Sequence, residues 1–414
     1  MLDHVYSTPK ALHRAQRSWL KADIDRFLFH LANQGYARGS LWAYANLLLH
    51  FGAFLERQGI RDLVHLPQRI EPFLAKHYPP KARKDIGRGR SILSRFVSHL
   101  IREGAVPRPD CRPSTVPCGD RIDQYVAFLE KQRGLCPQYL RSIRRRCAAL
   151  LTHLYRAEGS DLKSARPEAL HRFLIAEAKR CGRAALSQTC SIMRGFLGFL
   201  ERQGLSASGL ASSVLAPCIY KHERCPRFLT PTEVDRVLGV IDRQTVLGKR
   251  DYAMLMLLSR YGLRGIEVVR LQLDHLDWRN QRLHVRHRKA GNNTVYPLGV
   301  LVGEAIVAYL RQARPTSTCR EVFLRSNAPF APLTCRTLSS HVRKYLAQAG
   351  LQAERAGTHT FRYSCAQRLF EVGMSLKTIG DYLGHSDPNT TQRYTKIALD
   401  QLREVAVGDG EDLL

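Results

Sequence analysis

The stretch HTFRYSCAQRLFEVGMSLKTIGDYLGHSDPNTTQRY, from His359 to Tyr394, is where the reading of this chain begins. His359 and Arg362 stand at i and i+3, so on a helix the imidazole and the guanidinium share one face. Leu369, Phe370, Val372, Met374, Ile379 and Leu383 supply the apolar positions on which such a segment packs. Leu383-Gly384-His385 reads as a helix that stops at Gly384 and leaves His385 on a fixed turn. Asp387-Pro388-Asn389-Thr390 reads as a second helix start, with Tyr394 about one turn in. Cationic and imidazole groups beside a phenol are the parts of a nucleophile aimed at a phosphate.

Charge points the same way. The 414 residues carry a formal net charge of +28, and a globular protein this basic most often has a polyanionic partner. The basic residues are spread along the chain instead of forming one polybasic tail, which favours nucleic acid over a membrane surface. The length predicts two or three domains, and 44% hydrophobic residues are enough to fill their cores. The longest apolar run, Tyr252 to Leu258, is too short to span a bilayer, and MLDHVYSTPKALHRAQ at the start has no apolar signal core. Eleven cysteines, none in a Cys-x-x-Cys pair, read as scattered reduced thiols of a cytoplasmic protein without a zinc site. Cys147, Cys190 and Cys365 sit inside helical patterns as small apolar residues would.

The N-terminal half is a repeat. Residues 24–106 and 122–205 resemble each other at an offset of about 100. Ile24-Asp25-Arg26-Phe27-Leu28 matches Ile122-Asp123-Gln124-Tyr125-Val126, and Ser91-Ile92-Leu93 matches Ser191-Ile192-Met193. Each copy reads as about four amphipathic helices; Leu47, Leu48, Phe51, Phe54 and Leu55 form one stripe, and Leu150, Leu151, Leu154 and Tyr155 its counterpart. Residues 108–113 read as the linker between copies. In the second copy Arg141, Arg144 and Arg145 share a face of the helix that begins near Pro137, with Arg146 beside them. Short basic runs are usually just solvated, but the net charge favours a phosphate-facing helix, and Arg194 is a further DNA-binding candidate. Lys81, Arg83, Lys84, Arg88 and Arg90 form a weaker candidate clamp in the first copy.

From Ser206 to Phe228 periodicity is lost, as in an inter-domain connection. Thr230-Pro231-Thr232-Glu233 then opens a helix with a capping box. A buried helix follows at 250–260 and ends near Gly262. Arg264 falls between that helix and the next, and Glu267 one turn later is placed to orient it; an ordinary surface pair has the same spacing. Over 276–298 the period changes to two: Leu283 and Val285 alternate with His284 and Arg286, and Val295 follows the turn at 290–293. This predicts a β-hairpin with Lys289 at its turn. Helices are expected at about 300–313 and 335–349, with a short strand near Val322-Phe323-Leu324 between them.

With Arg264, Lys289, His359, Arg362, His385 and Tyr394 in that order, the chain resembles the tyrosine recombinase (phage integrase) family. The resemblance covers 228 to about 405, and residues 122–205 look like the helical core-binding domain of such enzymes. It implies a mainly α chain: helical core-binding domains plus an α+β catalytic domain with a small antiparallel sheet, the DNA breaking-rejoining fold. The implied parts are a core-binding-like module at 1–110, a core-binding domain at 118–210, a linker at 211–228 and a catalytic domain at 229–414. The implied reaction is site-specific recombination of double-stranded DNA through a 3′-phosphotyrosine on Tyr394, with no metal or other cofactor. Arg264 and Arg362 would hold the non-bridging oxygens, Lys289 would protonate the departing 5′-oxygen, His359 would move a proton near the tyrosine, and His385 would bond the phosphate. A helix at 397–405 would dock on a neighbouring protomer, in a homotetramer on two duplexes, with or without sister recombinases. Family members often carry a second histidine where Tyr363 stands, and Phe361 replaces a common leucine; neither changes the chemistry. The extra N-terminal module favours integration and excision of a phage or transposon. Chromosome-dimer resolution, an accessory DNA-binding factor of the same fold and a type IB topoisomerase are the alternatives.

Overall fold

Each amphipathic stripe of the N-terminal half becomes a helix in the computed structural model. It describes residues 1–6, 9–79, 81–107, 119–158, 162–219, 228–286, 293–351 and 357–384. Helices α1 (Leu2–Val5) and α2 (Pro9–Gln16) lead into the first module, which is α3 (Lys21–Asn33), α4 (Arg38–Glu56), α5 (Leu66–His77) and α6 (Arg83–Arg102). The second module repeats the plan with α7 (Gly119–Arg133), α8 (Pro137–Glu158), α9 (Pro167–Ala178) and α10 (Arg183–Arg202). A one-turn 3-10 helix precedes the third main helix of both copies, at Leu63–His65 and Leu162–Ser164. Each module closes its own core. Ile24, Phe27, Leu48, Phe51 and Phe96 are at most 1% exposed in the first, and Leu150, Leu151, Met193 and Phe196 are fully buried in the second. Burying one such side chain is worth roughly 1.5–3 kcal/mol, so each core is a substantial driving force.

Leu210 and Val214 also belong to the second core. The backbone N–H of Ala211 donates to Glu201 Oε1 at 2.6 Å. The chain therefore stays on the second module past Ser206, where periodicity is lost, and into the linker expected at 211–228; irregular backbone can pack as tightly as a helix once it has polar partners.

The C-terminal part opens at α11 (Pro231–Gly239), with Thr230 and Glu233 forming the expected capping box. Next come α12 (Val246–Tyr261) and α13 (Gly265–Val269), then β1 (Leu276–Asp277), β2 (Arg282–Val285) and β3 (Thr294–Pro297). The order ends with α14 (Val300–Gln312), α15 (Cys335–Gln348), α16 (Thr358–Glu371) and α17 (Leu376–Leu383). The apolar run at 252–258 is the buried centre of α12: Ala253 to Leu258 are at most 1% exposed. Among the described residues no helix is long and apolar enough to cross a membrane.

The sheet is antiparallel in the order β1-β2-β3, with Leu283 opposite Tyr296 and His284 opposite Val295. That register turns Leu283, Val285 and Tyr296 into the core and leaves Val295 51% exposed. The strand expected at 322–324 is not one. Isolated bridges, Gln272 with Glu321 and Leu324 with Pro332, flank a fully buried extended segment, and the Leu324 N–H is bonded by the Tyr309 hydroxyl. It fills the core and is held by single bridges and by the bonds Val322 N–H to Leu271 O and Leu333 N–H to Phe323 O, outside the three-stranded sheet.

By backbone contacts the chain falls into two units, Met1–Pro107 with Arg224–Leu414, and Arg108–Glu223. The linker at 108–113, the hairpin-turn Lys289, His385, Tyr394 and the tail helix at 397–405 lie outside the described residues.

Candidate active site

The site is built on the end of α12. Gly262 caps that helix in the left-handed conformation (φ 61°), and its N–H bonds Leu258 O. A Cβ there would stand 2.8 Å from a Leu383 methyl and 3.0 Å from Cys365 Cβ. Glycine is thus required twice, for the backbone angle and for the close approach of α16 and α17. The turn delivers Arg264 to the N-cap of α13.

Arg264 is not half of a loose surface pair. Its Nη1 donates to Glu267 Oε1 at 2.8 Å, and its backbone N–H donates to Glu267 Oε2 at 2.8 Å. The Glu267 side chain is only 3% exposed. Arg264 Nη2 reaches across to Gly384 O at 2.7 Å, 120 residues along the chain. A buried carboxylate gripping both ends of one arginine fixes its fork in one orientation.

Arg362 approaches the same turn from α16. It is 4% exposed, with Nη1 donating to Gly262 O at 2.8 Å and Nη2 to Leu383 O at 2.6 Å. Two guanidiniums therefore converge on the last carbonyls of α17, the negative end of that helix, where cations are stabilised. Gly384 caps α17 in the left-handed conformation (φ 68°), as its position after Leu383 predicts. His359 lies on α16 one turn before Arg362, exposed, with its ring 6.4 Å from that of Tyr363. The structure thus brings Arg264, braced by Glu267, and Arg362 to the Leu383-Gly384 turn, with His359 one helical turn from Arg362 on α16.

Two aromatic ties were not apparent in the sequence. The Tyr296 hydroxyl of β3 donates to Tyr382 O of α17 at 2.5 Å, and the Tyr261 hydroxyl of α12 donates to Pro297 O at 2.8 Å. They fasten the hairpin to α12 and α17, whose ends carry the carbonyls that Arg264 and Arg362 bond. A tyrosine in a two-residue alternation shows that it is buried but gives no hint of what its hydroxyl meets. Burial pushes the hydroxyls of Tyr261 and Tyr382 and the Cys365 thiol up, so these groups beside the site stay protonated and pack instead of reacting.

On α8 the basic residues fall on one side of the helix. Arg141, Arg144 and Arg145 are exposed, with Leu140, Ile143 and Cys147 buried on the other side. Arg144 is engaged by Asp123 of α7, and Arg194 Nε donates to Val214 O at 3.2 Å. Both are held in place, while Arg141 and Arg145 are exposed on α8.

This is the framework of a tyrosine recombinase. The Phage integrase family model matches residues 227–400 and the phage integrase N-terminal SAM-like domain matches 122–204. The chain belongs to the phage integrase family. A Sinorhizobium fredii protein named as an integrase/recombinase, y4rA, is 35% identical over 402 residues, 96% of each chain. The crystal structure of XerH site-specific recombinase on a palindromic difH substrate superposes with a TM-score of 0.54 at 16% identity, covering 83% of this chain and 94% of that one. A lambda integrase tetramer bound to a Holliday junction gives a TM-score of 0.54 at 17% identity, over 73% and 86%. Both share the fold.

Proposed function

We propose that this recombinase cuts and rejoins double-stranded DNA at a specific site through Tyr394, as part of the integration and excision of a mobile element. The observation that carries the reading is the convergence of Arg264 and Arg362 on the Leu383-Gly384 turn. Two fixed planar forks with donors directed to one place suit the non-bridging oxygens of a phosphodiester. They stabilise the charge that builds as the phosphate becomes pentavalent, so no metal is needed. Attack by the Tyr394 oxygen forms a P–O bond to the 3′-phosphate and breaks the bond to the 5′-oxygen. Lys289 supplies the proton that the departing 5′-hydroxyl keeps. His359, exposed one turn from Arg362, takes the proton from the phenol, and His385 bonds the phosphate. The energy of the broken bond is kept in the phosphotyrosine, so rejoining needs no nucleotide.

Sequence order and charge support the assembly. The XerH neighbour is a DNA complex after cleavage and the lambda neighbour a tetramer on a junction; here the same arrangement would place four copies on two duplexes. Residues 1–121 lie outside both family matches, and this additional module favours a mobile-element enzyme over chromosome-dimer resolution.

The test is covalent capture on a nicked duplex carrying the ends of the element next to the gene. The wild-type chain should give an SDS-resistant adduct, and Tyr394→Phe none, with DNA binding kept. Tyr363→Phe serves as control, because Tyr363 is a half-buried tyrosine beside His359. An adduct that survives Tyr394→Phe and disappears with Tyr363→Phe would overturn the assignment.

A further inference from the structure

The two modules share a core but not a surface. The burial pattern aligns Leu41, Leu48, Phe51 and Leu55 of α4 with Leu140, Cys147, Leu150 and Leu154 of α8. In that alignment Arg141, Arg144, Arg145 and Arg146 of α8 correspond to Trp42, Ala45, Asn46 and Leu47 of α4. The basic face of the second module is therefore absent from the first. Part of it is covered: Ala45 is fully buried and the Tyr6 hydroxyl donates to Asn46 Oδ1 at 3.5 Å, while Trp42 stays 48% exposed. Tyr6 and, through Trp19 Nε1 on Gly52 O at 3.3 Å, the residues before α3 are tied to α4 instead.

The positive charge reappears on α6. Lys84 and Arg88 stand where α10 has Ala184 and Gln188, and Arg83 extends the same exposed side. Among the described residues none of the three has an ion pair, whereas Arg90 on the flank is taken by Glu71 and Arg95 by Tyr36 and Tyr44. Arg83 and Lys84 also sit in the first turn, where the helix dipole disfavours cations in the free protein and favours a bound anion. Between them and Arg88 lie Asp85 and Gly87, both exposed; Gly87 stands in the second turn with nothing within 4 Å of where its Cβ would be. Packing does not need a glycine there, and helix propensity disfavours one. A glycine among cations lets a phosphate backbone come close.

We propose that the first module is a second DNA clamp that grips duplex backbone through Arg83, Lys84, Arg88 and the Gly87 gap of α6, not through the helix its twin uses. This rests on the reading of the chain as a DNA recombinase and adds a contact to it. The grip is to phosphates, independent of base sequence, and adds to that of the second module.

The test uses the full chain and a labelled duplex of random sequence, with affinity followed from low to moderate salt. Each phosphate contact steepens the slope of log K against log salt by about 0.9, so Arg83→Gln/Lys84→Gln/Arg88→Gln should flatten it by roughly 3. Between 50 and 200 mM salt the wild type should then lose roughly 40-fold more affinity than the triple variant. Gly87→Leu should bind DNA several-fold more weakly while melting no lower than wild type, which separates a lost contact from a damaged fold. Unchanged slope and affinity in both variants would overturn the clamp. So would an unchanged slope with an altered oligomeric state, which would make α6 a protein interface. A wild-type chain that bound no duplex at all would instead refute the recombinase reading.

Discussion

Gly262 serves as cap and as spacer, and Arg362 depends on both. Its carbonyl accepts from Arg362 Nη1, while its missing side chain makes room for Leu383 and Cys365. Alanine at φ 61° pays about 1–2 kcal/mol for the left-handed backbone and about 1–3 more for overpacking. Gly262→Ala should therefore lower the thermal midpoint of the C-terminal part and weaken adduct formation together; an unchanged midpoint would mean that Leu383 and Cys365 yield. Arg362→Lys asks a different question. A lysine keeps the charge but cannot span Gly262 O and Leu383 O as a planar fork does. Adduct formation should fall 10²- to 10³-fold, about 3–4 kcal/mol of barrier, with the thermal midpoint much less affected. Single-turnover rates on the nicked duplex decide it, and a rate within a few-fold of wild type would remove Arg362 from the reaction. The importance of Arg264 was harder to read. Its i,i+3 pairing with Glu267 looks like any surface ion pair until the fold buries the carboxylate, and the packing that does so comes from far along the chain.

At the scale of elements, the hairpin was legible but its inward side was not. Alternation marked Leu283 and Val285 as buried, yet on β3 the register turns Tyr296 inward and Val295 out. Tyr296→Phe keeps the ring in the core and removes the bond to Tyr382 O, a loss of roughly 0.5–1.5 kcal/mol in stability. If the hairpin delivers Lys289, that variant should slow cleavage more than it weakens DNA binding; equal effects on both would separate the hairpin from the chemistry. The union of α12 and α15 was not legible at all. Arg250-Asp251 reads as an adjacent charge pair, yet both are buried, at 3% and 1% exposure. Asp251 accepts from Tyr345 at 2.9 Å and is bonded to His341 Nδ1 at 2.6 Å, while Arg250 also donates to Ser326 Oγ at 2.8 Å. Burial alone would raise the Asp251 carboxyl, but the His341 bond and the Arg250 charge outweigh it and hold it below the usual aspartate range. A carboxyl held low contributes stability above the unfolded aspartate value, near 4, and loses it as the pH falls through its folded value. Asp251→Asn should accordingly cost about 3–5 kcal/mol near neutral pH, because it strands Arg250, and the gap to wild type should narrow in acid. Thermal midpoints from pH 7 down to 3 test both, and a gap that widened in acid would contradict the linkage.

For the whole molecule, what repeated in the sequence was the core, and what diverged was the surface. Ile92, Phe96 and Leu100 align with Ile192, Phe196 and Leu200 because burial tolerates little change. That is why the duplication could be read by eye. No periodicity could show that Tyr6 and Trp19 bond to α4, because that depends on a short segment folding back on a later helix. The same division of labour sets what removing residues 1–107 should do. The cores of the second module and of the C-terminal part draw no residue from the first module, so each keeps its packing. Gly35 lies against the Phe330 ring, a meeting of the first module with the C-terminal part that the truncation would expose. Uncovering that ring is a small loss beside an intact core. The truncated chain should therefore remain helical by circular dichroism and still form the Tyr394 adduct on a nicked duplex. Its binding to long duplex should weaken with a flatter salt dependence, as if the α6 cations alone had been removed. A truncated chain that folds but forms no adduct would mean that the first module acts in the cleavage step, not merely in holding DNA.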